Sequence, residues 1–154
     1  MTTETVYGDA GFFYIPDLGV KLPLFERSKN VAGQTIVDRE NSAEIFRHFG
    51  GSHCDYIADH ASQGFNAIKK CTLGMAAVVQ TRKDAKIYMC VAIMPGTNIK
   101  TNLVTCCGQK LTKVQWADLC CYCCNDSEGK SITMVFFKET AHFKRPIYKV
   151  DDEQ

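Results

Sequence analysis

Asp118-Leu119-Cys120-Cys121-Tyr122-Cys123-Cys124, then Asn125-Asp126-Ser127-Glu128-Gly129, then Lys130-Ser131-Ile132-Thr133-Met134-Val135-Phe136-Phe137 reads as a β-hairpin. Two apolar runs flank a turn of Asn, Asp, Ser and Gly, residues that accept unusual backbone angles or bond their own backbone. With Asn125 to Gly129 as the loop, Cys124 and Lys130 become a directly opposed cross-strand pair, Cβ atoms about 4.5–5.5 Å apart. A thiol beside a fixed positive charge has its pKa lowered and its thiolate made available. The same residues also describe a cysteine-rich core hairpin with a lysine at its rim.

The chain has 154 residues, one domain's worth (1–154), with no internal repeat and no linker. Net charge is +1, from 18 basic and 17 acidic residues, so no strong field draws nucleic acid or an anionic membrane. No apolar run is long enough to span a bilayer, and Met1-Thr2-Thr3-Glu4-Thr5 has neither a basic n-region nor an apolar h-region. Nine cysteines, an odd number without a secretion signal, argue for a reducing, cytoplasmic setting rather than a disulfide scaffold.

Working outward, Gly11 to Pro16 reads as a first strand stopped by proline, and Val20 to Phe25 as a half-buried second strand, an edge because of Pro23. Asn41 or Ser42 caps a short helix carrying Ala43, Ile45, Phe46 and Phe49 and ending at Gly50-Gly51. Cys54 to Asp59 is a strand running into His60, and Gln63 to Lys70 a second helix. Met75 to Gln80 and Lys86 to Met94 are strong strands around the turn Thr81 to Asp84, and Pro95 to Asn98 is a further turn. Residues 99–110 are a strand or an ordered loop, Leu111 to Trp116 has weak helical spacing, and Pro146 to Val150 reads as a last edge strand. Eight or nine short strands with two or three short helices predict a mainly β, barrel-like or sandwich domain.

His60, at a strand end, is placed where side chains project from a rigid support into a loop. Imidazole serves as acid or base near neutral pH. His48, His53 and His142 read as ordinary surface or core histidines. Cysteine with histidine is a nucleophile–base combination for acyl transfer, whose oxyanion needs a cation or backbone donors aimed at it. Lys130 is the cation at hand, a point charge without the fork of arginine.

Gly11 to Phe25 resembles the opening of sortases, in which a strand ending in Ile-Pro leads through a small turn to an apolar strand with proline. Val37 to Ala43 resembles the helix that follows there. Tyr56-Ile57-Ala58-Asp59-His60, with Phe65 and Gly74, resembles the segment carrying the sortase catalytic histidine, and Tyr88 sits as in the next central strand. The resemblance spans roughly residues 11–138 and is carried by motif order. It implies a closed β-barrel of about eight strands and a cysteine transpeptidase, acting on a peptide or protein through a thioacyl intermediate, without a cofactor or metal. It also implies a nucleophilic cysteine ending the next-to-last core strand and an arginine starting the next. Thr101 to Cys106 matches the usual Thr-Leu-Val-Thr-Cys wording; Leu119 to Cys124 matches the placement. The expected site is His60, Cys124 and Lys130, with Cys106 as the competing nucleophile.

Three departures stand out: the last core strand has no arginine, Asp59 precedes the histidine where many sortases carry glycine, and no membrane anchor is seen. They fit a bacterial relative outside cell-wall sorting, on a mobile element for example. Two other classes stay open. One is a non-catalytic binding or structural module of the same shape. The other is a thiolate metal-binding domain, disfavoured because adjacent strand cysteines face opposite sides.

Overall fold

The computed structural model describes residues 7–27, 43–47, 53–58, 65–99, 102–125 and 130–148. Nine strands are formed among them: β1 (Phe12–Ile15), β2 (Val20–Arg27), β3 (Ala43–Phe46), β4 (Asp55–Ala58), β5 (Ala76–Gln80), β6 (Ala85–Ile99), β7 (Asn102–Thr105), β8 (Leu119–Cys124) and β9 (Ser131–Phe143). Their order is β5-β1-β2-β3-β4-β8-β9-β6-β7, and β5 also pairs with β6. That extra pairing closes eight strands into a barrel and leaves β7 appended to β6. The expected mainly β barrel is therefore what the chain forms. The helices of the described residues are 3-10 turns at Pro16–Leu18, Phe65–Lys70 and Leu111–Lys113.

Alternation along the strands builds the barrel interior. Phe13 and Ile15 of β1, Leu22 and Leu24 of β2, Ile57 of β4, Cys121 of β8 and Phe137 of β9 all point into one buried cluster. Ile68, from the 3-10 turn, plugs it. A second buried cluster lies outside the barrel wall, where Leu111, Val114 and Ala117 cover Cys120, Ile132, Met134 and Phe136. β8 and β9 are thus covered on both faces, which explains their unbroken apolar runs. Burying each large side chain there contributes about 1.5–3 kcal/mol.

Several local readings give way to tertiary context. The helix expected after Asn41 is, at 43–46, the strand β3, parallel to β2 from Leu24↔Ala43 onward. Ala43 and Ile45 enter the barrel while Phe46 joins the outer cluster, a period-2 pattern that a helix would not satisfy. Its expected end at Gly50-Gly51 lies outside the described residues. The helix expected over 63–70 is a 3-10 turn at 65–70.

Pro95-Gly96, expected as a turn, instead continues β6. Register shifts against β9 leave Thr140 of β9 and Val91 of β6 as extra residues, and one edge of β6 serves β5 first and β7 later. Gly96 is required by close approach: a Cβ there would sit 2.4 Å from the Met134 sulfur and 2.7 Å from the Val104 carbonyl oxygen. Pro23 lies in an interior strand, but β2 meets β3 only from Leu24, so one edge at Pro23 is locally open. The expected last strand is, over 146–148, a segment held by the buried Gln80. Its amide accepts from the Ile147 and Tyr148 N–H groups, each at 3.0 Å, and donates to the Tyr148 carbonyl at 2.8 Å. No helix among the described residues is long and apolar enough to cross a membrane.

Candidate active site

β4 and β8 are parallel neighbours in register, pairing Asp55↔Leu119, Tyr56↔Cys120, Ile57↔Cys121 and Ala58↔Tyr122. Both therefore deliver the chain to the same end of the barrel. Cys124 is the last residue of β8. His60 follows β4 by two residues and lies outside the described residues.

β8 and β9 pair antiparallel, with Cys123↔Thr133 and Cys124↔Ile132. The expected opposition of Cys124 and Lys130 is thus corrected: a buried isoleucine faces Cys124 across the ladder. The register is shifted by two residues along β9 from the expected one. The Asn125 N–H donates to the Ser131 carbonyl at 2.7 Å, and the Thr133 hydroxyl donates to the Asn125 side-chain oxygen at 3.0 Å. Lys130 is exposed, and its carbonyl accepts the Asn98 N–H at 2.8 Å. It directly precedes β9 and stands two residues from Ile132.

The outer face of this region is aromatic. Tyr56 and Tyr122 stack with centroids 5.4 Å apart and planes within 7°, and Phe46 meets Tyr56 at 4.8 Å. Burial, then the adjacent Tyr122 hydroxyl, pushes the Tyr56 phenol far above its ordinary range, so it stays protonated.

At the other end of β8 lies a pair the sequence did not single out. His53 Nε2 and Asp118 Oδ1 are hydrogen-bonded, and the other Asp118 oxygen accepts the Glu139 N–H at 2.8 Å. Partial desolvation works against the Asp118 carboxylate, but these partners outweigh it and hold its pKa below the ordinary value. Arg47 reaches Asp55 at 3.6 Å beside them. The parallel register of β4 and β8 explains the meeting, since Asp118 directly precedes β8 and His53 stands two residues before β4. Buried Cys54 follows His53, and desolvation, then Asp55 and Asp118, raises its thiol to about 12. It is a structural thiol, not a nucleophile.

Cys106 opens the turn after β7, and three strands (β6, β9, β8) separate β7 from β4 in the sheet. Among the strand cysteines, Cys121 and Cys123 face the barrel interior and Cys120 the outer cluster. Desolvation raises both Cys120 and Cys121 well above the ordinary thiol range.

No protein-family model matches this sequence, and no curated protein matches it. Solved structures do. Sortase E1 from Streptomyces coelicolor, with a tripeptide in its active site, is 18% identical with a TM-score of 0.63, covering 86% of this chain and 88% of that one. Sortase A of Listeria monocytogenes is 14% identical with a TM-score of 0.64, covering 89% and 90%. Sortase C of Clostridium perfringens, with the C-terminal cell wall sorting motif, is 16% identical with a TM-score of 0.64, covering 88% and 72%. Identity this low speaks to architecture, and the architecture agrees with the closed eight-strand ring: this chain has the sortase fold.

Proposed function

We propose that the chain is a sortase-like cysteine transpeptidase or peptidase, with Cys124 as nucleophile and His60 as acid–base group. The observation that carries this is the parallel register of β4 on β8, whose last pair is Ala58↔Tyr122. His60 and Cys124 each follow that pair by two residues. The two strands carrying them are neighbours and run in the same direction.

In this reading the Cys124 thiolate attacks a peptide carbonyl, forming a C–S bond and an oxyanion. Collapse breaks the C–N bond, and the His60 imidazolium gives its proton to the departing amine. A second amine, or water, then attacks the thioester and gives its proton to the imidazole. The C–S bond breaks and the thiolate returns. Lys130 supplies positive charge to the oxyanion by reaching back along β9. With Ile132 in the directly opposed place, that help is weaker, and losing one oxyanion donor typically costs about 10²–10³ in rate. A peptide substrate is supported by the tripeptide and sorting motif held by two similar structures.

Ile132 also favours a second reading: a peptide-binding module of the same shape without catalysis. A pool of quenched fluorogenic peptides, assayed with hydroxylamine as the accepting amine, separates the two. Cleavage with hydroxamate formation, lost in Cys124→Ala, supports the enzyme. Peptide capture that is equal in wild type and Cys124→Ala, without cleavage, supports the module.

A further inference from the structure

The sequence holds three adjacent cysteine pairs: 106–107, 120–121 and 123–124. On a strand, neighbouring side chains leave opposite faces, so the two sulfurs of such a pair cannot converge. This holds for Cys120 and Cys121, which sit in different buried clusters. Cys106 and Cys107 are different. They occupy a tight turn closed by the Gly108 N–H donating to the Thr105 carbonyl at 2.9 Å, with Gly108 at φ 82°. Both thiols are exposed, and their sulfurs lie 3.9 Å apart.

The turn is firmly mounted. The Cys106 N–H donates to the Pro95 carbonyl and the Thr105 N–H to the Gln109 carbonyl, each at 2.9 Å. The Gln109 N–H returns to the Thr105 hydroxyl at 3.2 Å. Two sulfurs bound at about 2.3 Å to one tetrahedral centre stand about 3.8 Å apart, whereas a disulfide needs about 2.05 Å. The observed spacing matches the first case.

We infer that Cys106 and Cys107 form a bidentate thiolate site for a soft, thiophilic metal or metalloid centre. Two thiolates without a hard oxygen ligand favour soft centres. With an organoarsenous acid the reaction is a condensation: two As–O bonds break, two As–S bonds form, and the two thiol protons leave with oxygen as two waters. Nothing is oxidised or reduced.

The site carries its own reporter. Trp116, the single tryptophan, donates its indole N–H to the Gln109 side-chain oxygen at 3.0 Å and packs on Phe136 at 4.7 Å. Gln109 stands two residues from Cys107, so a centre held by the pair perturbs its hydrogen bond.

The test uses the full chain with phenylarsine oxide as probe. Intact mass should show one arsenical bridging two sulfurs, mapped to the 106–107 peptide, with a shift in Trp116 emission reversed by 1,2-ethanedithiol. Cys106→Ser and Cys107→Ser should each weaken binding by about a hundredfold, the loss expected when a chelate becomes a single contact. Both positions are exposed, so neither variant endangers folding. Undiminished binding in either variant, or an adduct mapped to 120–124, overturns the inference.

Discussion

The same dipeptide, Cys-Cys, occupies two unlike places. In β8, Cys120 and Cys121 are fully buried on opposite sides of one strand, each serving a different apolar cluster. In the turn after β7, Cys106 and Cys107 are exposed with their sulfurs on one side. Backbone geometry, not residue type, decides which thiols are packing atoms and which are ligands. Strand alternation divides a pair; a turn gathers it.

The sharpest break of this contrast is a charge. Cys121→Asp puts a carboxylate into the barrel interior without a partner, and it should cost more than 4 kcal/mol or prevent folding, an effect about as large as single substitutions give. Urea denaturation followed by circular dichroism reads it. Cys121→Ser, which buries a hydroxyl, should lose about 1–3 kcal/mol in the same assay. Cys107→Ser should stay within about 0.5 kcal/mol, as exposed substitutions do. Equal losses at 107 and 121 would erase the distinction.

The ladder beside Cys124 gives a finer test. Ile132→Lys places a cation in the opposed position and should raise peptide-resolved iodoacetamide labelling of Cys124 at pH 6 by about tenfold, one unit of pKa. It should also cost about 2–4 kcal/mol of stability through the lost apolar side chain. Lys130→Ala should lower the labelling by a smaller factor, since its charge acts from two residues farther along the chain. A larger effect at 130 than at 132 would contradict the register as the determinant.

A modest effect, read by its pH dependence, lies at the opposite end of β8. The folded-state pKa of Asp118 is depressed, so its contribution is full above the unfolded value near 3.8 and is lost as pH falls through the folded value. Asp118→Asn should therefore cost about 1 kcal/mol at pH 7 and progressively less below pH 4. Thermal unfolding across that range checks the sign.

The barrel was legible because its strands are short apolar runs rich in aromatic and β-branched residues between clear turn residues, as in Phe12–Ile15 and Ala76–Gln80. What misled was local. Ala43-Glu44-Ile45-Phe46 has apolar positions that suit a helix face or a two-sided strand, and only partners far along the chain, β2 and β4, decide between them. Pro95-Gly96 spells a turn, yet Gly96 is there because Met134 and Val104 crowd it. Of the expected site, Cys124 was placed at a strand end from sequence. The Lys130 partnership failed because β8 and β9 pair two residues farther along β9 than a five-residue loop gives, with Asn125 bonded to Ser131. His53 with Asp118 was invisible because it depends on the parallel register of strands more than 60 residues apart.

The most direct test of the central claim is the pH profile of Cys124 alkylation, read peptide by peptide, in wild type and His60→Ala. If imidazole and sulfur act together, wild-type labelling of Cys124 persists to acidic pH and His60→Ala moves its midpoint upward by a unit or more, toward the ordinary thiol range near 8.5. Superimposable profiles in the two proteins would contradict the account.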